Sequence, residues 1–182
     1  MTGIANRRSF LQDGTELMKR HAGGACQIAV LLIDLDHFKS INDRFGHAIG
    51  DRVLQVFAET AKANLRSCDL LGRLGGEEFA AVLSHVGREK AVVLAERIRA
   101  AFADAASEVD GRPVGATVST GVVLTQDATF DVSALLVQAD QALYVAKERG
   151  RNRVEVASLD LVLGRKEAAA PRTGAIAAKT AA

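Results

Sequence analysis

Two pairs of acidic residues stand at positions where ordinary surface chemistry does not require them. Asp34 and Asp36 end a nearly unbroken apolar run over residues 28–33, the pattern of a strand buried on both faces. Glu77 and Glu78 follow a glycine pair further along the chain. Carboxylates at the end of a buried strand are costly unless they are paired or bind a cation. If the two segments are neighbours, Asp34 and Glu77 could share one Mg²⁺, because that ion takes oxygen ligands, commonly one or two carboxylates with substrate phosphate.

The glycine pair separates two extended, apolar-leaning runs over residues 68–74 and 79–83. We expect a β-hairpin with Gly75-Gly76 as a type I′ turn, because that turn needs φ > 0 at both central residues. The two glutamates then lie at the lip of the hairpin. A solvated turn that carries acids for solubility is the alternative. The upstream acidic pair favours a metal site, since the period of two places both of its members on one side of their strand.

Composition narrows the class of protein without identifying it. The 182 residues favour one domain with its own core, and 48% apolar with 25% charged residues is typical of a globular protein. A net charge of +1 gives no broad field for nucleic acid or anionic membranes, although a small anionic ligand remains open. Cys26 and Cys68 have no metal or disulfide spacing and are predicted to be buried thiols in a reducing compartment. We see no membrane-spanning segment and no signal peptide, so we expect a cytoplasmic location.

The periodicity of apolar residues predicts an α+β domain with a mostly antiparallel central sheet and flanking helices. Phe79 and Tyr144 are predicted core residues. We expect one catalytic domain over residues 1–158 and a disordered tail over residues 159–182, where periodicity vanishes. The predicted helices cover the start of the chain to about 23, then 38–46, 48–65, 88–104 and 131–150, and the predicted strands cover 26–35, the two arms of the hairpin within 68–84, 114–124 and 153–156.

A set of ordered motifs extends this interpretation. They are, in chain order, Thr2-Gly3-Ile4-Ala5-Asn6-Arg7-Arg8, Asp34-Leu35-Asp36-His37-Phe38-Lys39, Asn42-Asp43, Phe45-Gly46-His47, Gly50-Asp51, Arg73, Gly75-Gly76-Glu77-Glu78-Phe79, Ser119-Thr120-Gly121, Ala139-Asp140, Leu143-Tyr144, Ala146-Lys147 and Gly150-Arg151-Asn152. With these motifs the chain resembles the GGDEF family of diguanylate cyclases over about residues 2–156. The resemblance implies a fold like the palm of nucleotidyl cyclases and polymerases. It also implies condensation of two GTP into cyclic di-GMP, with release of two pyrophosphates.

The resemblance assigns the acidic residues to metal binding. It implies that Asp34 and Glu77 are side-chain ligands, with the Leu35 carbonyl as a third ligand, for Mg²⁺ or Mn²⁺, two ions per active site. Glu78 belongs to the signature and either binds metal or helps to activate the attacking 3′-hydroxyl. Asp36 matches the motif, but we assign it no ligand role, and a structural hydrogen bond is at least as good an explanation. The family accepts glutamate or aspartate at the third signature position, so Glu77 does not indicate an inactive enzyme.

The same resemblance implies the residues that bind GTP. Asn42 and Asp51 would recognise the guanine edge, which offers both donors and acceptors. Lys39, Lys147 and Arg151 would contact the phosphates. Taken singly, each residue has a simpler explanation. Asn42 could be a helix cap, Asp51 an acid favoured by the helix dipole in a first turn, and the last two cations could stabilise a helix C-terminus.

Arg66 and Asp69 form an Arg-x-x-Asp pattern with five residues between Asp69 and Gly75. This spacing matches the product-inhibition motif of the family. An arginine can bind the O6 and N7 atoms of guanine in a bidentate manner. We therefore expect a cyclic di-GMP inhibitory site here, with Arg97 as an additional contact. A surface ion pair is the alternative.

One set of guanine and metal residues implies one GTP per domain. Closing a twofold-symmetric product then requires a C2 homodimer, transient for this chain. Family members commonly carry an upstream sensory or receiver domain that brings two catalytic domains together, and we expect one here. Two other functions stay open. One is a catalytically silent receptor for cyclic di-GMP; the other is a GTP-binding regulator, or a cyclase that makes a different dinucleotide.

Overall fold

The computed structural model describes residues 3–21, 27–126 and 131–157, so the predicted tail and Cys26 lie outside the described residues. The strands of these ranges form one sheet in the order β1-β3-β4-β2-β5-β6. The helices are α1 (Arg7–His21), α2 (Phe38–Phe45), α3 (His47–Asn64), α4 (Arg88–Ala105) and α5 (Val132–Glu148), and the strands are β1 (Ala5–Asn6), β2 (Ile28–Leu35), β3 (Leu70–Gly75), β4 (Glu78–Ser84), β5 (Val118–Thr125) and β6 (Val154–Val156).

Strand β2 lies in the middle of the sheet, and each of its residues is buried, as the apolar run predicts. Alternation divides its side chains between two cores. Ala29, Leu31 and Ile33 join the core that includes residues of α3 and α4. Val30 and Leu32 join the core that includes residues of α1 and α5. Helices thus cover both faces of the sheet, and the polar end of β2 projects beyond both cores.

The α+β class with a mostly antiparallel sheet is confirmed, with one refinement. Strands β3, β4, β2 and β5 pair in antiparallel fashion. The sheet is nevertheless mixed, because β1 pairs with β3, and β6 with β5, in parallel at the two edges. Strand β1 has two residues, too few for a periodic signal, and the sequence analysis missed it. The predicted start of β5 near residue 114 is also wrong, since this strand begins at Val118.

The hairpin exists, but its turn differs from the predicted one. Gly75 still belongs to β3 and pairs with Glu78, so the two loop residues are Gly76 and Glu77. Gly76 has φ +47°, whereas Glu77 is not among the residues with positive φ. A type I′ turn at Gly75-Gly76 is therefore wrong. The register shifts between Arg73 and Gly75, and this irregularity moves the loop one residue along the chain.

The strand behind the loop is anchored in the core. Phe79 is fully buried, as predicted, and its ring lies 4.5 Å from that of Phe57. Phe57 in turn meets Phe102 edge to face at 5.2 Å. Burial of each aromatic ring contributes about 2–3 kcal/mol, so this cluster fixes the strand that begins with Glu78.

Two predictions of burial are wrong. Cys68 is exposed in the turn before β3, where no strand surface covers it. Tyr144 is 63% exposed, because it lies on the outer side of α5 while Leu143 faces the sheet. No helix within the described ranges is both long and apolar enough to cross a membrane.

Candidate active site

The polar end of β2 meets the hairpin loop, as the shared-cation hypothesis requires. Asp34 pairs with Glu78 of β4 on one side and with Ser119 of β5 on the other. The backbone N–H of Leu35 donates to the carbonyl of Glu77 at 3.3 Å. Asp34, Glu77 and Glu78 thus lie at one end of the sheet. We call Asp34, Leu35, Glu77, Glu78 and Lys147 the carboxylate site.

Lys147 joins this site from the last turn of α5. Its Nζ lies 3.0 Å from Oδ2 of Asp34, whose side chain is only 11% exposed. Burial raises the pKa of the Asp34 carboxyl above its ordinary value. The hydrogen bond and charge of Lys147 oppose this rise in pKa, and Glu77 and Glu78 add to it. The ionised carboxylate therefore needs a positive charge, and Lys147 supplies one in this structure.

The donor set fits a hard divalent cation. Two carboxylates and a backbone carbonyl at the end of the sheet are oxygen ligands, and the ammonium group beside Asp34 marks where positive charge is favoured. Within the described ranges, no group of three or more acidic, histidine or cysteine side chains is arranged to hold a metal alone. A cation at this site would need further ligands, and the phosphates of a nucleotide are of the right kind.

Asp36 has the structural role that the sequence left open. It is 4% exposed, and its Oδ1 accepts a hydrogen bond from Ser119 Oγ at 2.6 Å. Its Oδ2 accepts from Thr117 Oγ1 at 2.7 Å and from the backbone N–H of Asn152 at 3.0 Å. The carboxylate thus joins the end of β2 to β5 and to the turn that follows α5.

The predicted phosphate-binding cations differ in their environments. Arg151 follows Lys147 on the turn after α5, and its Nη1 lies 3.5 Å from the Lys147 carbonyl. Its backbone N–H donates to Ala146 O at 3.0 Å, which attaches it to the helix end. Lys39 lies exposed in the first turn of α2, the helix that follows β2 after two residues. The structure therefore places Lys147 at the carboxylate site, attaches Arg151 to the same helix end and leaves Lys39 on a different helix.

The predicted guanine-binding residues lie on α2 and α3. Asn42 is inside α2, so it is not the helix cap of the simpler explanation. Its amide lies against Gly50, where an added Cβ would overlap Asn42 Oδ1. Asp51 is exposed in α3, whose first turn contains no acidic residue. Within the described part of the chain neither side chain has a hydrogen-bond partner, so both groups can receive one from a ligand.

The three residues of the predicted inhibitory site line one groove of about 350 Å³, which we call the arginine groove. Arg66 and Asp69 form a closed turn, in which Asp69 Oδ2 accepts from the backbone N–H of Arg66 at 3.0 Å. Arg97 reaches the groove from α4, and its Nη2 donates to the Asn64 carbonyl at 2.7 Å. Val93, 65% exposed, lies on the same wall. The groove thus combines two guanidinium groups, the carboxylate of Asp69 and an apolar surface, and its lining also includes one glutamate and one lysine of α4.

Sequence reasoning missed several contacts that support the site. Arg73 matched a family motif without a role, and the structure shows its Nε and Nη2 donating to the Gly76 carbonyl at 2.9 and 2.7 Å. This bidentate contact braces the hairpin loop. Arg99 of α4 donates from Nη1 to Asn152 Oδ1 at 2.7 Å. The contact of Arg73 could have been predicted, because this arginine is close in sequence to the glycine pair. The contact of Arg99 joins residues that are 53 positions apart, so the local sequence gives no sign of it.

Comparison with known proteins places this geometry in a family. A family model described as diguanylate cyclase, GGDEF domain, matches residues 1–153. The diguanylate cyclase DgcP of Pseudomonas aeruginosa is 39% identical over 158 residues, which cover 86% of this chain and 23% of that protein. The response regulator PleD of Caulobacter vibrioides is 42% identical over 156 residues, which cover 85% of this chain and 34% of that protein. This chain therefore spans about a third or less of the length of these two relatives.

Comparison with solved structures points to the same family. The active GGEEF domain of a diguanylate cyclase from Vibrio cholerae aligns with a TM-score of 0.76 and 33% identity, over 85% of this chain and 98% of that one. The GGDEF domain of DgcB from Caulobacter crescentus, solved in complex with c-di-GMP, aligns with a TM-score of 0.79 and 29% identity, over 86% of this chain and 92% of that one. With a matching family model, related sequences and a similar fold, the chain belongs to the GGDEF family of diguanylate cyclase domains.

Proposed function

We propose that this chain is the catalytic domain of a diguanylate cyclase that condenses two GTP into cyclic di-GMP. In each half-reaction the 3′-oxygen of one GTP attacks the α-phosphorus of the other. A P–O bond forms, pyrophosphate leaves, and the hydroxyl proton is lost to a base or to solvent. Two such steps close the ring and release two pyrophosphates.

One observation carries this proposal. Buried and half-buried carboxylates meet a lysine of α5 at the end of the central strand, with Lys147 Nζ 3.0 Å from Asp34 Oδ2. Phosphoryl transfer needs both kinds of group together, because metal ligands and phosphate-binding cations must act on the same triphosphate. A site built only to bind an anion would not need acidic residues at its centre.

The residues divide the work as follows. Asp34, Glu77 and the Leu35 carbonyl would hold Mg²⁺ or Mn²⁺, two ions per active site, with the phosphates as the remaining ligands. When bound, the metal ions polarise the phosphate and stabilise the attacking and leaving oxygens. Glu78, which pairs with Asp34 across the strands, serves as a further ligand or as acceptor for the 3′-hydroxyl proton. Asp34 is held in place by its strand neighbours on both sides.

Substrate recognition would use the unpartnered polar groups of α2 and α3. Asn42 and Asp51 offer an amide and a carboxylate, which match the acceptors and donors on the guanine edge. Adenine presents a different pattern, and unsatisfied polar groups at such a site reject the wrong base strongly. Lys39, Lys147 and Arg151 would bind the triphosphate.

We further propose that the working state is a C2 homodimer, in which each domain presents one GTP to the other. The curated relatives are much longer than this chain, and one is named a response regulator, which supports an adjoining regulatory domain that controls this encounter. GTP is a cytoplasmic nucleotide, so we place the reaction in the cytoplasm. The arginine groove would bind the product and slow turnover as product accumulates.

The test is chromatography of the products after incubation of the purified chain with GTP and Mg²⁺. Cyclic di-GMP from the wild type, and none from Glu77→Ala, is the expected result. Glu59→Ala, an exposed glutamate of α3 outside the site, is the matched control and should keep full activity. If the isolated chain is silent, the same assay on a fusion to a dimerising helix separates a lack of encounter from a lack of catalysis.

The arginine groove favours one second candidate, a receptor for cyclic di-GMP that does not turn over GTP. Its two arginines, aspartate and apolar wall suit a guanine dinucleotide whether or not the carboxylate site is active. Silent forced dimers that still bind cyclic di-GMP would establish the receptor function and refute the cyclase. Turnover of ATP at a rate close to that of GTP would instead indicate relaxed specificity.

A further inference from the structure

The turn after α5 contains three consecutive residues with left-handed backbone conformations. The φ angles are +108° at Gly150, +61° at Arg151 and +46° at Asn152. Glycine adopts such angles without strain, but arginine and asparagine do so at a cost that surrounding contacts must offset. Arg151 is the residue of this turn to which we assign phosphate binding. The direction of its side chain therefore depends on the contacts that hold the turn.

Asp36 makes one of these contacts from inside the protein. The backbone N–H of Asn152 donates to Asp36 Oδ2 at 3.0 Å, over a separation of 116 residues. The carboxylate is itself fixed, because Ser119 and Thr117 donate to its two oxygens at 2.6 and 2.7 Å. Hydrogen bonds to an ionised acceptor are about twice as strong as neutral ones. The residue after Arg151 is therefore bound to an anchored, buried charge.

A second contact holds the same turn from the opposite side. Arg99 of α4 donates from Nη1 to Asn152 Oδ1 at 2.7 Å, while its Nε lies 2.6 Å from Glu96 Oε2. Asn152 is thus bound through its backbone by the sheet and through its side chain by α4. The ordinary C-terminal bonds of the helix add to this, since Gly150 N–H donates to the Lys147 carbonyl at 3.3 Å.

We propose that Asp36 is a positioning residue for phosphate recognition, which acts by holding the Asn152 backbone and thereby the strained turn that presents Arg151. Arg99 assists from the surface. This inference rests on the proposed function, because it takes Arg151 as a phosphate ligand. It gives the second aspartate of the Asp34-Leu35-Asp36 motif a task other than metal binding.

Two substitutions at Asp36 distinguish the loss of both acceptor oxygens from the loss of the negative charge. Asp36→Ala removes both acceptors and leaves the Asn152 N–H without its partner. Asp36→Asn keeps one oxygen, which can still accept from Asn152 and Thr117, while its amide can donate to Ser119 Oγ. Ser119→Ala removes a buried hydrogen bond from Oδ1 and leaves the Oδ2 contact with Asn152 intact. It is therefore the control for a general loosening of the network.

The test is calorimetric affinity for two ligands, a GTP analogue with a non-hydrolysable α–β bridge and GMP, both in the presence of Mg²⁺. Asp36→Ala should weaken binding of the analogue about tenfold, the effect of losing one charge-assisted contact, and change GMP binding less than twofold. Asp36→Asn should restore about half of this loss in free energy, because its oxygen still accepts from Asn152 but carries no charge. Arg151→Ala should give a similar phosphate-dependent loss, and the double variant should lose little more than either single one. Ser119→Ala should leave the ratio of the two affinities unchanged.

Equal weakening of both ligands by Asp36→Ala, or full additivity with Arg151→Ala, would overturn the proposal, because either result means a general structural role. If Asp36→Ala does not fold, Arg99→Ala takes its place, with an expected loss of about threefold that is confined to the analogue. No phosphate-dependent loss in that variant would also overturn the proposal. Failure of the wild type to bind either nucleotide would refute the proposed function itself, and this outcome is distinct from binding that is insensitive to Asp36.

Discussion

The carboxylate site and the arginine groove differ in how much of the fold each one needs. The groove is lined by residues between Asn64 and Arg97, on the Arg66–Asp69 turn, at the end of β4 and on α4. The carboxylate site combines β2, the hairpin loop and the end of α5, which are far apart in the chain. A site of the first kind depends on segments that are close together in the chain. A site of the second kind exists only when the whole sheet and its covering helices are in place.

The two regions also differ in how far their charged groups are buried. Both arginines of the groove, Arg66 and Arg97, are exposed. At the carboxylate site, Asp34 is buried, and burial raises its pKa. Lys147 lies beside the carboxylate and partly offsets that rise in pKa. A buried charge contributes little to the stability of the fold. Such an arrangement is therefore expected where function requires it. We therefore expect substitutions in the two regions to affect different properties.

The largest effect should come from Asp34→Asn. If Asp34 holds the metal as we propose, loss of its carboxylate removes several kcal/mol of transition-state stabilisation, so we expect cyclic di-GMP formation to fall by at least about a thousandfold. Affinity for cyclic di-GMP at the arginine groove should stay within twofold of the wild type. Product chromatography and calorimetry measure the two effects. A comparable loss of product affinity would mean that the two regions are not independent.

Gly121→Ala should disrupt the carboxylate site indirectly, by displacing a helix that carries one of its residues. An added Cβ at this position of β5 would overlap the backbone of Ala139 and Leu143 in α5. Helix α5 must then move away from the sheet and take Lys147 with it. We expect a loss of about 3 kcal/mol in the free energy of unfolding, measured by urea denaturation. Gly75→Ala is the control, since its Cβ meets nothing within 4 Å. Equal stability of the two variants would contradict the close packing of α5.

Arg66→Ala tests the locally built region. We expect cyclic di-GMP affinity to fall about tenfold and product inhibition to weaken in proportion, because a bidentate contact to guanine contributes about 1–3 kcal/mol. Initial turnover and thermal stability should not change. Arg88→Ala, an exposed arginine at the start of α4 that does not line the groove, is the matched control. Unchanged inhibition in Arg66→Ala would remove the inhibitory site from the proposal.

The smallest effect concerns stability and pH in the absence of metal and nucleotide. The folded pKa of Asp34 lies above its ordinary value of about 3.9, so the ionised carboxyl costs the native state free energy. Wild type should therefore lose stability relative to Asp34→Asn as the pH rises from below that value through the raised pKa. Above the raised pKa the difference should stay constant. Urea denaturation at a series of pH values measures it, and a difference of the opposite sign would contradict the burial argument.

The contrast between the two regions also explains what the sequence could predict. The buried strand β2 and the amphipathic helices follow from local spacing, and the structure contains them. The contact between Lys147 and Asp34 does not follow from spacing, because the two residues are 113 positions apart (147 − 34) and meet only through the packing of α5 on the sheet. The family resemblance assigned a role to each of the two residues, but it did not predict that they are in contact.

The errors have the same physical origin. The turn of the hairpin was misplaced because the register with β4, and not the glycine pair alone, decides which residues form the loop. Strand β1 escaped notice because two residues gain a partner only when β3 is already present. Cys68 was predicted to be buried from its residue type, although its turn projects into solvent. Each error concerns a residue whose environment is not determined by its own type or its immediate sequence.

The edges of the sheet bear on how two copies of this domain can approach each other. The long strands β2, β4 and β5 lie inside the sheet, whereas the edge strands β1 and β6 contain two and three residues. A short edge presents few open backbone groups, so it is a poor template for strand addition and aggregation. Crowding two domains together therefore does not favour their fusion into one continuous sheet. Side chains, and the nucleotides between them, are left to determine how the copies meet.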